Sequence, residues 1–371
     1  MKVTIERAAL FKALSHVQSV VERKQTIPIL SNVLLRAEAG KLHFTATDLD
    51  MEIEDSAAAN VERKGAVTAP AATLFDVVRK LPDGAEVRLE TKPENSRIEV
   101  VAGRARFVLP TLPAADFQTM TREASDVTFD MATADLKRFI DRVKFAISSE
   151  ETRYYLNGIY FHVTEENGGQ MRAVATDGHR LALAASPMPE GAAGLTGIIV
   201  PRKAITEVRR LLDDAPDVVT VSASAAKIGF EVGEATLTSK LIEGSFPNYA
   251  RVIPKDNTRI LRLDNRAFSE AVDRVSTVSA ERARSVKMAI EPDRVILMVS
   301  QAERGQATEE LAADFSSGML EIGFNGNYLK EACQQVQGTE LEMAFNDAAL
   351  PAIMRDPTDK DVLFVLMPMR V

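Results

Sequence analysis

The chain says the same thing three times, and that repetition constrains its fold more than any other feature. Each copy reads as a short amphipathic helix, an apolar strand pair, a second amphipathic helix and further strands. The first helix presents Leu10, Leu14 and Val17 in one copy, Leu136, Phe139, Ile140 and Val143 in the next, and Phe268, Ala271, Val272 and Val275 in the third. Each set has the i, i+3 or i+4, i+7 spacing of one buried helix face. The strand pairs fall at 29–53, 155–183 and 285–311, where Thr47-Asp48 aligns with Thr176-Asp177 and with Ser300-Gln301. Second helices are predicted within 67–81, 198–212 and 322–336; Pro70, Pro201 and Asn325 align there, as do Leu74, Ile205 and Leu329.

The spacing predicts three domains, 1–125, 126–254 and 255–371, each near the modal domain size. Helices apolar on one side must cover a sheet. The predicted class is therefore α+β: three tandem copies of a two-helix domain with curved antiparallel sheets. End strands of each copy would be exposed edges unless they pair with the next copy. The free edges left over can pair between molecules head to tail, closing a ring or growing a filament.

Bulk composition narrows the class further. No stretch approaches the ~18 apolar residues of a membrane span. Glu6 and Arg7 stand where a signal peptide would be apolar, so the N-terminus reads as mature structure. The single cysteine, Cys333, allows no intrachain disulfide and fits a reducing cytoplasm; on the apolar side of its helix it reads as a small buried hydrophobe. The net charge of −8 hides an uneven distribution. Lys137, Arg138, Arg142 and Lys144 crowd one helix, and Arg202, Lys203, Arg209 and Arg210 another. Such helices can attract a polyanion on one surface, although charges on an outer helix face are more often simply solvated.

Catalytic chemistry finds little support. Asp177 and His179 could form an acid–base or metal-ligating pair, but the chain has only four histidines and no second ligand cluster. Asp48 recurs in the first copy without the histidine, which suits a structural turn in which Asp accepts from nearby backbone N–H groups. No nucleophile elbow or phosphate-cradling loop is present. The expectation is a protein without catalytic residues, metal or cofactor. The C-terminal run 362–371 is apolar to its end, and reads equally as a strand packed in the last sheet or as the lip of an adaptable groove.

Several long, ordered blocks carry a resemblance: RYYLNGIYF (153–161), VATDGHRLAL (174–183), IIVPRKAI (198–205), TSKLIEGSFPNYARVIP (238–254) and the terminal MPMRV. Through them the whole chain resembles the bacterial DNA polymerase III beta subunit, the sliding clamp. The resemblance implies a DNA clamp fold closing as a head-to-tail homodimeric ring, with twelve helices around sequence-independent duplex DNA. It implies processivity by topology in the cytoplasm, and a pocket for peptides from the polymerase, the clamp loader, other polymerases and repair proteins. Matched residue by residue, one pocket wall is Leu156, Thr176, Gly178, His179, Arg180 and Leu181, and another is Pro247, Arg251 and Val252. The C-terminal lip is Val365, Met367, Pro368, Met369 and Arg370. DNA-facing positions implied in the same way are Arg23, Lys24, Tyr154, Tyr155, Arg202 and Lys203, and the dimer contact is Phe107 against Thr277 and Val278. The runner-up is a repeat scaffold that binds peptides only; a hydrolase using Asp177 and His179 is a distant third.

Overall fold

The computed structural model describes residues 1–21, 26–92, 96–121, 124–279 and 285–370. The chain divides into two compact units, one formed by 1–134, 189–195 and 203–241, the other by 135–188, 196–202 and 242–371. The helices of eight residues or more are α1 (Arg7–Val17), α2 (Ala71–Arg79), α3 (Thr133–Val143), α4 (Arg202–Leu211), α5 (Asn265–Ser276) and α6 (Gly326–Cys333).

The repeat is written into the helix faces. The hydrophobic residues buried on α1 are Leu10, Ala13, Leu14 and Val17; on α3 Leu136, Phe139, Ile140 and Val143; on α5 Phe268, Ala271, Val272 and Val275. All three sets have the same i, i+3, i+4, i+7 spacing, which places one stripe against the core. Fully burying each large side chain contributes ~1.5–3 kcal/mol. Two of these helices start on an acidic cap. The Glu6 carboxylate accepts from the Ala9 N–H at 3.0 Å, and that of Asp264 from the Ala267 N–H at 2.7 Å, satisfying donors that would otherwise lack partners. α1 packs on α2 through stacked Phe11 and Phe75, 5.2 Å between centroids.

Every strand pairing is antiparallel among the described residues. In the first unit, a five-stranded sheet runs Asn60–Arg63, Lys2–Glu6, Glu86–Lys92, Arg97–Ala102 and Ala105–Pro110. An eight-stranded sheet runs Val127–Ala132, Val218–Ala223, Lys227–Val232, Ala235–Lys240, Met51–Ala58, Lys41–Thr47, Asn32–Glu38 and Gly65–Pro70. In the second unit, a nine-stranded sheet runs Ile198–Pro201, Gly158–Thr164, Gln170–Thr176, Arg180–Pro187, Val362–Leu366, Ala352–Arg355, Glu340–Phe345, Arg259–Asp264 and Asp314–Phe315. A four-stranded sheet runs Gly305–Ala312, Arg294–Gln301, Ser285–Glu291 and Leu320–Asn325.

Two seams join strands distant in sequence. Ala235–Lys240 pairs with Met51–Ala58, setting Leu237 opposite Ile53, and Val362–Leu366 pairs with Arg180–Pro187, setting Val365 opposite Leu181. Edges foreseen as liabilities are thus covered by another stretch of the same chain. The described residues contain no helix long and apolar enough to cross a membrane.

Cys333 is 2% exposed on α6, and burial pushes its thiol up to about 12. Because the thiolate is the reactive form, a colorimetric disulfide reagent is expected to leave the folded chain untouched and to titrate one thiol after denaturation.

Candidate functional site

The site begins with a hairpin turn. Thr176 Oγ1 donates to the Arg180 carbonyl at 2.6 Å and accepts from the Gly178 N–H at 3.1 Å, while Asp177 Oδ1 accepts from the N–H groups of His179 (2.9 Å) and Arg180 (3.0 Å). The first copy repeats this bond for bond. Thr47 Oγ1 donates to the Met51 carbonyl (2.8 Å) and accepts from Leu49 N–H (3.0 Å); Asp48 Oδ1 accepts from Asp50 and Met51 (2.9 and 2.7 Å). The residue after each Asp is left-handed, with φ 75° at Leu49 and 88° at Gly178. Glycine at 178 also leaves room, since a Cβ there would lie 2.5 Å from Arg153 Nη1. The second Asp177 oxygen, Oδ2, accepts from Arg180 Nε at 3.1 Å. Both carboxylate oxygens therefore serve the turn and its arginine, which is the structural role expected for the Thr-Asp pair.

Beside this turn lies a cavity of about 240 Å³. Its floor is the second seam: Leu181 and Val365 are paired neighbours, each 2% exposed, with Leu156 alongside. Pro247, Asn248, Tyr249 and Val252, from the segment that lies over this sheet face, form one wall. Met367 forms a lip, held where its N–H donates to the His179 carbonyl at 2.9 Å. Thr176, Gly178, Arg153, Tyr155 and Arg180 complete the lining. An apolar interior with a few polar groups around it suits an apolar side chain on a peptide backbone.

Arg180 fixes one side of the cavity. Its side chain is 9% exposed, ion-paired to Asp177 and Glu331, and donates to the Phe145 carbonyl at 2.6 Å. The guanidinium lies over the rings of Phe145 and Tyr328, 5.0 and 4.3 Å from their centroids, a cation–π arrangement that strengthens with desolvation. Burial, helped by the nearby Asp177 charge, raises the Tyr328 phenol above its ordinary value. Nearby, the hydrogen bond from Arg153 holds the Glu150 carboxyl below its usual range.

The Tyr249 wall is set by a polar chain beneath it. His162 Nδ1 lies 3.1 Å from the Val163 carbonyl, which can only accept, so Nδ1 carries the proton. Nε2 then accepts from the Tyr249 hydroxyl at 2.8 Å, and that hydroxyl lies 3.5 Å from Arg172 Nη1. Tyr160 stacks between His162 and Phe246, with centroids at 4.9 and 4.8 Å.

The structure gathers Leu156, Thr176, Gly178, Arg180, Leu181, Pro247, Val252, Val365 and Met367 at this cavity. The other residues assigned to it sit apart. His179 is exposed, its ring stacked 6.5 Å from that of Tyr328. Arg251 and Arg370 are exposed, and Pro368 is half-buried. Met369 is tied to the Leu320–Asn325 strand by its N–H to the Gly323 carbonyl at 2.8 Å. Arg153, Asn248 and Tyr249 line the cavity without having been foreseen, although Asn248 and Tyr249 directly follow Pro247 in one of the quoted blocks.

Among the residues assigned to DNA, Arg23 and Lys24 lie outside the described residues. Tyr154 is 55% exposed and meets Tyr155 edge-on, whereas Tyr155 lines the cavity. Arg202 donates to the Ile147 and Ser148 carbonyls at 2.6 and 3.0 Å, and Lys203 is ion-paired to Asp48. Phe107 is 37% exposed on an edge strand; Thr277 is exposed and Val278 half-buried just after α5.

Comparison with known proteins follows the same three-part division. The DNA polymerase III beta subunit family matches through its N-terminal domain at residues 1–121, its central domain at 130–248 and its C-terminal domain at 250–370. The beta sliding clamp of Caulobacter vibrioides is 55% identical over 372 residues, and that of Escherichia coli K12 36% identical over 372 residues, each covering 100% of both chains. A crystal structure of the Caulobacter crescentus beta sliding clamp superimposes with a TM-score of 0.98 at 55% identity, covering 100% of this chain and 99% of that one. The Bartonella birtlesii sliding clamp bound to griselimycin gives 0.98 at 45% identity, covering 100% of both chains.

Burial holds the His162 imidazole below its ordinary value of 6.5. Between that depressed value and 6.5 the unfolded chain binds more protons than the folded one. The stability due to the neutral imidazole is therefore complete above pH 6.5 and is lost as pH falls toward the folded value. In thermal melts, the Tm advantage of the native chain over a His162→Gln variant is expected to be larger at about pH 7.5 than at about pH 5.5.

Proposed function

Since the chain belongs to the DNA polymerase III beta subunit family, the beta sliding clamps, we propose that it works as a head-to-tail homodimeric ring around duplex DNA, with the cavity beside Tyr249 as its docking point for partner peptides. Its function is that of a processivity clamp in DNA replication. The domains are 1–125, 126–254 and 255–371, each a two-helix unit, and the protein carries no catalytic residues of its own. The place of work is the cytoplasm.

The observation that carries the ring is which edges remain. The last strand of the second copy, Ala235–Lys240, pairs with the third strand of the first hairpin set, Met51–Ala58. The last strand of the third copy, Val362–Leu366, pairs with its equivalent in the second, Arg180–Pro187. The same rule leaves two strands over: Ala105–Pro110, the last of the first copy, and Gly305–Ala312, the third of the third. Both are sheet edges in the chain. Pairing Ala105–Pro110 with Gly305–Ala312 of a second molecule repeats the two internal seams, and doing so twice closes a two-chain ring. Phe107 and Val108 stand exposed on the first edge. Beside the second, Arg274 of α5 holds Glu309 through Nε and Nη2, with Thr277 and Val278 just beyond. This supports Phe107, Thr277 and Val278 as the dimer contact.

Partner peptides, from the polymerase, the clamp loader and repair proteins, insert an apolar side chain over Leu181 and Val365. His179, Arg251, Pro368, Met369 and Arg370 then contact the rest of the peptide outside the cavity. DNA contacts come from Arg23, Lys24, Tyr154, Tyr155, Arg202 and Lys203, through phosphates rather than base edges, so that no sequence traps the ring.

Light scattering at micromolar concentration is expected to give twice the 40.5 kDa chain mass, and Phe107→Arg to give the single-chain mass with loss of retention on circular DNA. A native monomer sinks the ring. Val252, 49% exposed at the cavity wall, gives the second test. Val252→Asp is expected to weaken binding of a polymerase-derived peptide about tenfold or more while leaving the dimer mass unchanged.

A further inference from the structure

Tyr249 has a cavity on each side. Beyond it, away from Leu181, lies a second cavity of about 420 Å³ to which Tyr249 also contributes. Its apolar wall continues the same sheet face: Leu183 follows Leu181 by two residues, and Leu363 precedes Val365 by two on the neighbouring strand. Side chains two apart on a strand share a face, and Leu181, Leu183, Tyr249 and Val365 belong to one buried cluster with Ile253 and Leu363 packed against it.

The charges at this cavity are unbalanced. Arg172 is ion-paired to Glu166, which removes both from the account. Lys255 and Lys360 are exposed in the lining, and neither makes an ion pair or hydrogen bond among the described residues; the exposed Asp361 carboxylate stands with them. Two cations against one anion, in a chain of net charge −8, favour an acidic visitor.

We propose that this cavity is a second subsite for the same partner peptide, receiving an apolar side chain over Leu183 and Leu363 and acidic neighbours at Lys255 and Lys360. The inference rests on the reading of the first cavity as a peptide site. The strand that floors both cavities sets the reach. From Leu181 to Ala185 is four residues, ~13 Å at 3.3 Å each, so an extended peptide covers the gap in about four residues.

Fluorescence anisotropy with the full-length protein tests this. The probe is a labelled five-residue peptide with leucine and phenylalanine anchors. It is compared with versions lengthened by Asp-Leu-Glu-Glu at one end or the other, and with a Lys-Leu-Lys-Lys control. One acidic extension is expected to tighten binding about tenfold, and the basic one not to. In the doubly substituted Lys255→Glu, Lys360→Glu protein that gain is expected to vanish while the five-residue peptide binds as before; both sites are exposed, so folding should be retained, and a thermal melt checks it. If neither acidic extension helps, or the gain survives the double substitution, the second subsite is overturned and the first cavity stands. If the short peptide does not bind the native protein, the first cavity's reading fails and takes this one with it.

Discussion

Everything else in this chain depends on strands of one repeat finding hydrogen-bond partners in another. A repeat of this kind cannot stand alone, because its third and last strands would expose rows of unpaired N–H and C=O groups. The seams satisfy those groups and bury side chains together. Leu237 and Ile53 are both fully buried at the first; at the second, Ala182 lies opposite Phe364, which is 1% exposed and meets Phe145 edge-on with ring centroids 5.6 Å apart. Such pairing is non-local, so it forms only once whole copies have folded far enough to meet.

The cavity is a by-product of the second seam. Joining Arg180–Pro187 to Val362–Leu366 creates a broad apolar sheet face carrying Leu181, Leu183, Leu363 and Val365. A face of that kind must be covered, and the segment around Phe246–Ile253 covers only part of it. What remains open is ready for an apolar side chain from another molecule. The chain ends on the same seam, which resolves the two readings of its C-terminus: Val362–Leu366 is a packed strand, and Met367 immediately after it is a 42% exposed lip. A cavity that needs this seam occurs once per chain even though the copies number three, and so, on the proposed reading, does the peptide site.

Local signals were legible and tertiary ones were not. The helix faces at Leu10, Phe139 and Phe268 follow from spacing alone, since periodicity reports burial directly. The Thr-Asp turn was legible because its bonds close within five residues, and its appearance without a histidine in the first copy pointed away from catalysis. Tyr249 was not legible as a wall. Its place depends on His162 and Arg172, 87 and 77 residues away along the chain, and no pattern in one sequence carries that. Arg180 was found, but as a contact for a peptide; its burial between Phe145, Tyr328 and Glu331 makes it first a fastening of the turn. Tyr155 was assigned to DNA with Tyr154 through the resemblance; the turn at 151–156 sets the two rings edge-on and brings Tyr155 to the cavity lining.

In the ring we propose, the pairing of the basic helices would let a chain of net negative charge hold a polyanion without gripping it. Lys203 is paired with Asp48, Arg209 with Asp213, Arg210 with Glu207, Lys144 with Asp141 and Arg138 with Asp359. Arg142 is buried, and desolvation holds its guanidinium below the ordinary value. A phosphate approaching any of the paired side chains must displace a carboxylate already in place. The exposed Lys144–Asp141 pair is of the kind that contributes only ~0–1 kcal/mol, so a phosphate would replace that carboxylate at nearly balanced cost. Fewer net charges neutralised also means a shallower dependence on salt. A site built for tight binding would leave its cations unpaired; in the ring we propose, sliding would gain from the opposite, with residence on DNA set by closure of the ring and not by the strength of any phosphate contact.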